Sequence, residues 1–265
     1  MSSPAERNAP RNSRGQGFKG RPHHRRESVS DEWLWGWHAV EAALANPLRE
    51  PAEKLMATPE RAARIEARFG RQPELQRVDN AAIAQVLPNG AVHQGVALKA
   101  PLLESADLAS FEAKPGAVLL VLDQVTDPQN VGAIMRSAAA LGAAGLILQD
   151  RHAPKLTGAL AKAAAGAVDV VPTARVVNLS RALEELESSG WRAVGLDGAA
   201  ERTLDAVLDG GPVVLVLGSE GDGLRRLVAE HCDELARIPM PGGFESLNVS
   251  AAAAIALYEA ARPRR

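Results

Sequence analysis

Hydrophobic and polar residues change their pattern twice along this chain, and the changes divide it. Residues 1–30 hold almost no large apolar side chain and are rich in Ser, Pro, Asn and Gly. Such a stretch cannot repay the entropy of ordering and is expected to be a disordered tail. Order is expected from Trp33-Leu-Trp35-Gly-Trp37-His-Ala-Val40, where three tryptophans at spacing two could share one face of a strand. They could pack in a core or stack on bases. Residues 39–45 read as a short helix stopped by Asn46-Pro47, 59–69 as a helix, 75–78 as a strand, 80–87 as a helix with an Asp/Asn cap, and 90–98 as a turn and a strand. Together they predict a small α/β unit over 31–103, large enough to fold alone. Pro101 just ahead of it, with Pro115, Gly116 and scattered acids inside it, marks 104–116 as a linker.

From 117 to 265 short apolar runs alternate with helical ones. Strands are expected at 117–122, 145–148, 168–171, 191–196 and 213–217, with helices at 131–141, 155–165 and 179–186. Apolar strands separated by helices predict an α/β fold with a parallel sheet covered on both faces. Ligands of such sheets bind beyond the carboxyl ends of the strands. A last segment, 251–257, is apolar all round and largely alanine, so it is expected to be a buried helix, packed within the chain or at a dimer seam.

Charge modifies this picture at one end. The net charge is −2, yet residues 1–30 carry seven basic side chains against two acidic ones, so the tail is +5 and the remainder −7. The basic arm is either a solubilising tail or an RNA-attracting one. Cys232 is the single cysteine, which excludes an intrachain disulfide and a cysteine metal cluster and fits a reducing, cytoplasmic setting. The longest apolar stretch, 249–258, is about half the ~20 residues a membrane span needs, so no membrane partner is expected.

Candidate chemistry gathers at three strand ends. The first reads Asp123-Gln-Val-Thr-Asp127-Pro128-Gln-Asn130-Val-Gly132-Ala-Ile-Met-Arg136; Pro128 keeps Asp127 out of helical geometry, and Asn130 is placed to cap the helix that follows. Arg136 has small residues as helical neighbours and needs a partner: a salt bridge to Asp123 or Asp127, or a substrate. The second, Leu217-Gly218-Ser-Glu220-Gly221-Asp222-Gly223, is neither the dinucleotide fingerprint nor the phosphate loop, and its two acids would repel a phosphate. A nucleoside without phosphate fits it better, unless the run is simply a sharp turn into a helix from Leu224. The third runs from Ile238-Pro-Met240 to Ser246-Leu247-Asn248-Val-Ser250, with Ser246 or Asn248 expected to cap the last helix.

Taken together, the three segments resemble the signature motifs of the SpoU/TrmH family of RNA ribose 2′-O-methyltransferases, in the SPOUT superfamily. Gly36-Trp-His38-Ala-Val40, Gly90-Ala-Val-His93-Gln94-Gly95, Gly166-Ala-Val-Asp-Val-Val-Pro172 and Val177-Asn178-Leu179 resemble its bacterial 23S rRNA guanosine branch. The resemblance implies an L30e-like RNA-binding domain at 31–103 and a methyltransferase domain at 117–265 closed by a deep trefoil knot. It implies S-adenosyl-L-methionine as cofactor, held by the backbone of Leu217, Gly218, Gly221, Ile238, Met240 and Leu247. Arg136, Asn130, Glu220, Ser246 and Asn248 are the implied catalytic residues, with no metal. The implied partners are 23S rRNA and a second copy of the chain, in a homodimer through the C-terminal domain. Against this stand the same reaction on tRNA or another rRNA nucleotide, a non-catalytic RNA-binding protein, and a nicotinamide enzyme, which the missing glycine fingerprint disfavours.

Overall fold

Two sheets, each built from its own length of chain, organise the computed structural model, which describes residues 32–151, 153–242 and 246–262. The expected basic tail lies outside the described residues. The first sheet comes from β1 (Trp33–Trp35), α1 (Trp37–Ala45), β2 (Lys54–Ala57), α2 (Pro59–Phe69), β3 (Leu75–Arg77), α3 (Asn80–Gln85) and β4 (Val96–Lys99), with strand order β1-β4-β2-β3. Trp33 and Trp35 share a face and pack with Met56, Ile83 and Leu87, while Leu34 points into the main core. Trp37 does not continue the strand: it opens α1, and its ring joins the main core. Packing is thus what buries all three. The 80–87 helix is capped as expected, Asp79 accepting a hydrogen bond from Ala82 N at 2.8 Å.

The second sheet comes from β5 (Val118–Leu122), α4 (Pro128–Ala140), β6 (Gly145–Gln149), α5 (Gly158–Ala163), β7 (Thr173–Val176), α6 (Leu179–Ser188), β8 (Arg192–Leu196), α7 (Leu204–Val207), β9 (Val213–Leu217), α8 (Arg226–Glu230), β10 (Glu234–Ala236) and α9 (Val249–Ala261). Its order is β10-β8-β9-β5-β6-β7 and every pairing is parallel. Both faces are covered, as the unbroken apolar strands require. Leu120, Leu146 and Leu215 meet α4 and α9 on one face; Leu119, Ile147 and Val214 meet α6 on the other.

Three expectations are corrected. Residues 168–171 form no strand: a 3-10 turn spans Ala167–Asp169, and the edge strand begins after Pro172. Asn130 does not cap α4; with Pro128 at the first helical position the cap falls to Asp127, which accepts from Gln129 N at 2.9 Å. The last helix is not buried all round, since it packs on α4 through Ala253, Ala256 and Leu257 but leaves Ile255 42% and Tyr258 60% exposed.

The stretch read as a linker is held to the edge of the second sheet. Ala106 N donates to Thr173 O at 2.9 Å, Ser105 Oγ accepts from Arg175 N, and Phe111 is buried against Leu119 and Ile147. The two sheets also dock on each other. Gly158 lets α5 meet β1 so closely that a Cβ there would stand 1.9 Å from Trp33 O. Alongside, Arg49 Nε bonds Asp169 Oδ1 at 2.6 Å, with side chains 5% and 0% exposed, and Asn46 and Pro101 O complete the network. Among the described residues no helix is long and apolar enough to cross a membrane.

Removing one partner of a buried ion pair strands the other charge. Asp169→Ala is therefore expected to cost about 3 to 5 kcal/mol, read as a lower urea midpoint in a circular-dichroism titration.

Candidate active site

Sheet topology alone selects one place for a ligand. From β5 the chain moves outward through β6 and β7, then returns to build β8, β9 and β10 on the other side. The reversal falls between β5 and β9, and a crevice outside their carboxyl ends is where such sheets bind. The first two motifs are the loops that leave these two strands.

The loop after β9 is a closed hairpin. Ser219 N donates to Gly223 O at 3.1 Å and Gly223 N returns to Ser219 O at 3.2 Å. Gly221 and Gly223 take φ of 96° and 68°, which residues with a Cβ rarely adopt. A Cβ on Gly218 would stand 2.1 Å from the backbone of Gly223. The hairpin is pinned at its far end by Asp123, which is fully buried at the end of β5. Its carboxylate accepts from Arg225 N at 2.9 Å and from Arg225 Nε at 2.7 Å, while Arg225 Nη2 reaches Gln149 Oε1 at 2.9 Å. Sequence reasoning missed Arg225 and Gln149. The available signal was a carboxylate ending an all-apolar strand, which demands a cation, and an arginine doublet just after the glycine loop.

Asn130, Glu220 and Asn248, one from each motif, meet. Glu220 Oε1 accepts from Asn130 Nδ2 at 3.1 Å, from Asn248 Nδ2, and from Val249 N at 3.4 Å; Asn248 Nδ2 also donates to Asn130 Oδ1 at 3.0 Å. Asn248 Oδ1 caps α9 by accepting from Ser250 N at 2.9 Å. The Glu220 carboxylate thus sits at the positive end of a helix dipole and locks the hairpin to the starts of α4 and α9.

The other expected residues lie around this lock or away from it. Leu217 is buried in the sheet and its carbonyl accepts from Asp123 N at 2.8 Å. Ile238 and Met240 follow the last bridge of the β10 edge, at Arg237, and are half-buried; Ser246 and Leu247 are exposed beside residues outside the described set. Arg136, although part of the first motif, is not joined to Asn130, Glu220 or Asn248. Asp123 is taken by Arg225 and Asp127 by the α4 cap, so neither salt bridge forms. Instead Arg136 lines an open cleft of about 490 Å³ with His38, Glu41 and Arg68 of the first unit, floored by alanines of α4 and of the α5 exit.

The loops around the hairpin fit S-adenosyl-methionine in the nature of their donors: a glycine turn open to close approach, nearby carboxylates and half-buried apolar flanks. The comparisons agree. Residues 117–258 match the SpoU rRNA methylase family and residues 33–106 match the RNA 2′-O ribose methyltransferase substrate-binding family. The chain belongs to the SpoU rRNA methylase family and is an S-adenosyl-methionine-dependent RNA 2′-O-ribose methyltransferase. It is 43% identical over 88% of its length to the 23S rRNA (guanosine-2′-O-)-methyltransferase RlmB of Xylella fastidiosa, covering 97% of that protein. Its similarity to the enzyme of the same name from Xanthomonas campestris is 41% over 89%, covering 98% of that protein. Among solved structures it resembles the SpoU methyltransferase AviRb of Streptomyces viridochromogenes in complex with AdoMet, at 26% identity and TM-score 0.73, covering 86% of this chain and 88% of that one. The AdoMet-bound rRNA methyltransferase of Sinorhizobium meliloti matches at 27% identity and TM-score 0.73, over 86% and 85%.

Cys232 lies under this site, close to Leu224 and Gly195. Burial first, then the nearby Asp233 and Asp123 charges, push its thiol up to about 12. At pH 8 the folded protein is expected to resist dithionitrobenzoate, with roughly one thiol in ten thousand ionised, and to react once unfolded in urea. Prompt labelling of the native protein would contradict this burial.

Proposed function

We propose that the chain methylates the ribose 2′-hydroxyl of a guanosine in 23S rRNA. The observation that carries this reading is the Asn130–Glu220–Asn248 lock at the switch point of the parallel sheet, in a chain whose curated relatives of matching length act on that RNA. S-adenosyl-L-methionine, when bound, supplies the methyl group. Gly218, Gly221, Ile238, Met240 and Leu247, with the end of β9 at Leu217, are the residues that would hold it. Asn130, Glu220 and Asn248 keep the hairpin in one geometry, and Ser246, two residues before Asn248, is the remaining catalytic candidate of the third motif. Arg136 acts on the acceptor side. A guanidinium stays charged at neutral pH and is a poor base, so its role is to orient the target phosphate or ribose.

The finer features belong to the same reading. The small unit is an L30e-like RNA-binding domain, with boundaries at 31–103, a joining segment at 104–116 and the methyltransferase domain at 117–265. The second domain closes by a trefoil knot. General topology rules disfavour a knot, so this feature rests on the family resemblance alone. The protein works in the cytoplasm as a homodimer, for which the exposed Ile255 and Tyr258 stripe of α9 offers an apolar seam.

Three measurements test the reading. Ribosomal RNA and tRNA offered with labelled S-adenosyl-methionine are expected to yield label in 23S rRNA alone, at one site resistant to alkaline cleavage. Label confined to tRNA would overturn the rRNA assignment, and Arg136→Ala is expected to lower transfer by at least about 100-fold with cofactor binding unchanged. Gly218→Ala should force the hairpin open and weaken cofactor binding at least about 10-fold by calorimetry, about 1.4 kcal/mol. Binding at the wild-type level would remove the hairpin from the cofactor site.

A further inference from the structure

A chain of contacts runs across the first unit into the cleft at Arg136. On α2, Arg61, Arg64 and Arg68 recur at helical spacing and share a face. The guanidinium carbons of Arg61 and Arg64 lie 5.0 and 4.2 Å from the Trp37 ring centroid. Arg61 Nε donates to Gln94 O at 3.0 Å, and Gln94 Oε1 accepts from Trp37 N and from Lys162 Nζ of α5, each at 3.0 Å. At the other end Arg68 bonds Glu41 at 2.8 Å, and both line the cleft with Arg136.

Apart from Arg68, the charge along this ridge is uncompensated. Among the described residues, Arg61, Arg64, Lys162 and Arg136 have no carboxylate within 4.0 Å, and Glu41 neutralises Arg68 alone. Packing explains one arginine stacked on Trp37. It does not explain two, whose like charges repel and which meet no counter-ion. Stacked guanidinium planes keep N–H edges free for phosphate oxygens, and the arginines cover the indole face that a base would otherwise use. These contacts can position a strand without reading its bases.

We propose that the Arg61–Arg64–Arg68 face, with Lys162 beside it, is a track for the RNA phosphate backbone that leads the strand into the cleft at Arg136. The inference rests on the rRNA methylation reading and adds the path by which the small unit delivers its substrate.

The test uses the full chain and a 23S rRNA fragment that the wild type methylates, with fluorescence anisotropy across a salt series. The triple variant Arg61→Gln/Arg64→Gln/Arg68→Gln is expected to bind at least about 10-fold more weakly, and its log–log salt slope should fall by about two, as for three lost single-strand phosphate contacts. KM for the RNA should rise in step while kcat at saturating RNA and the cofactor Kd stay within about twofold. The matching triple lysine variant, which keeps charge but not the planar stack, should recover most of the slope, separating phosphate contact from a fold defect. Lys114→Gln, in the segment joining the units, is a single-charge control away from the track. Unchanged affinity and slope in the glutamine variant, or no recovery with lysine, would overturn the track while leaving methylation intact. A wild type that methylates no RNA would remove the function reading, and the track with it.

Discussion

One buried carboxylate organises the mouth of the second sheet. Asp123 ends β5 with no exposure to water, where a lone charge is costly. The chain satisfies it from a distance of 102 residues, through both the backbone and the side chain of Arg225. Because Arg225 also holds Gln149 at the end of β6, three strand ends are tied at one point and the exit of the glycine hairpin is fixed. The hairpin's other face is then held by Glu220, which draws in Asn130 and Asn248. The order of dependence follows. The clamp sets where the hairpin leaves the sheet, and the lock sets which way its open backbone faces. Replacing one partner of the clamp harms both, since a buried charge left behind costs more than the pair contributes.

A second constraint joins the units. At Gly158 the backbones of α5 and β1 approach until no methyl group fits, and the Arg49–Asp169 pair is sealed beside that contact. Close packing of this kind leaves little room for relative motion. The substrate-binding unit is thus a fixed wall of the cleft that contains Arg136, with His38 and Arg68 presented from that wall.

Legibility in the sequence tracked the range of the interaction responsible. Features set within a few residues were readable: 59–69 is α2 to the residue, the glycine loop is the hairpin, and Asn248 does cap α9. Elements that exist through distant pairing were not. β2, Lys54–Ala57, consists of Lys, Leu, Met and Ala, good helix formers, and becomes a strand because β4 and β3 flank it. β10 is three residues long and stands because β8 pairs with it. The apolar run at 168–171 looked like a strand, yet Gly166 in left-handed geometry turns it into a 3-10 turn. In the site the same division holds. The motif residues announced themselves, while the partner of Asp123 lay 102 positions away and Arg136 was the wrong candidate for it.

The remaining step concerns Arg136 and the lock. Both stand on α4, Asn130 in the first turn and Arg136 six residues later. Six residues advance a helix by about 9 Å and rotate it by about 240°, so the two side chains leave on different faces. The buried stripe between them, Val131, Ile134, Met135 and Ala138, is sealed against the core and cannot rotate without unpacking it. Within one chain Asn130, in the lock, and Arg136, in the cleft, therefore address separate surfaces. On the function proposed above, methyl transfer needs both at a single ribose, because in-line attack tolerates little misplacement. A rigid helix cannot supply that by bending. An RNA strand rounding the helix, or a second copy of the chain placing its own Arg136 against this hairpin, can. The exposed apolar stripe of α9, the helix packed directly on α4, is compatible with the homodimer proposed above.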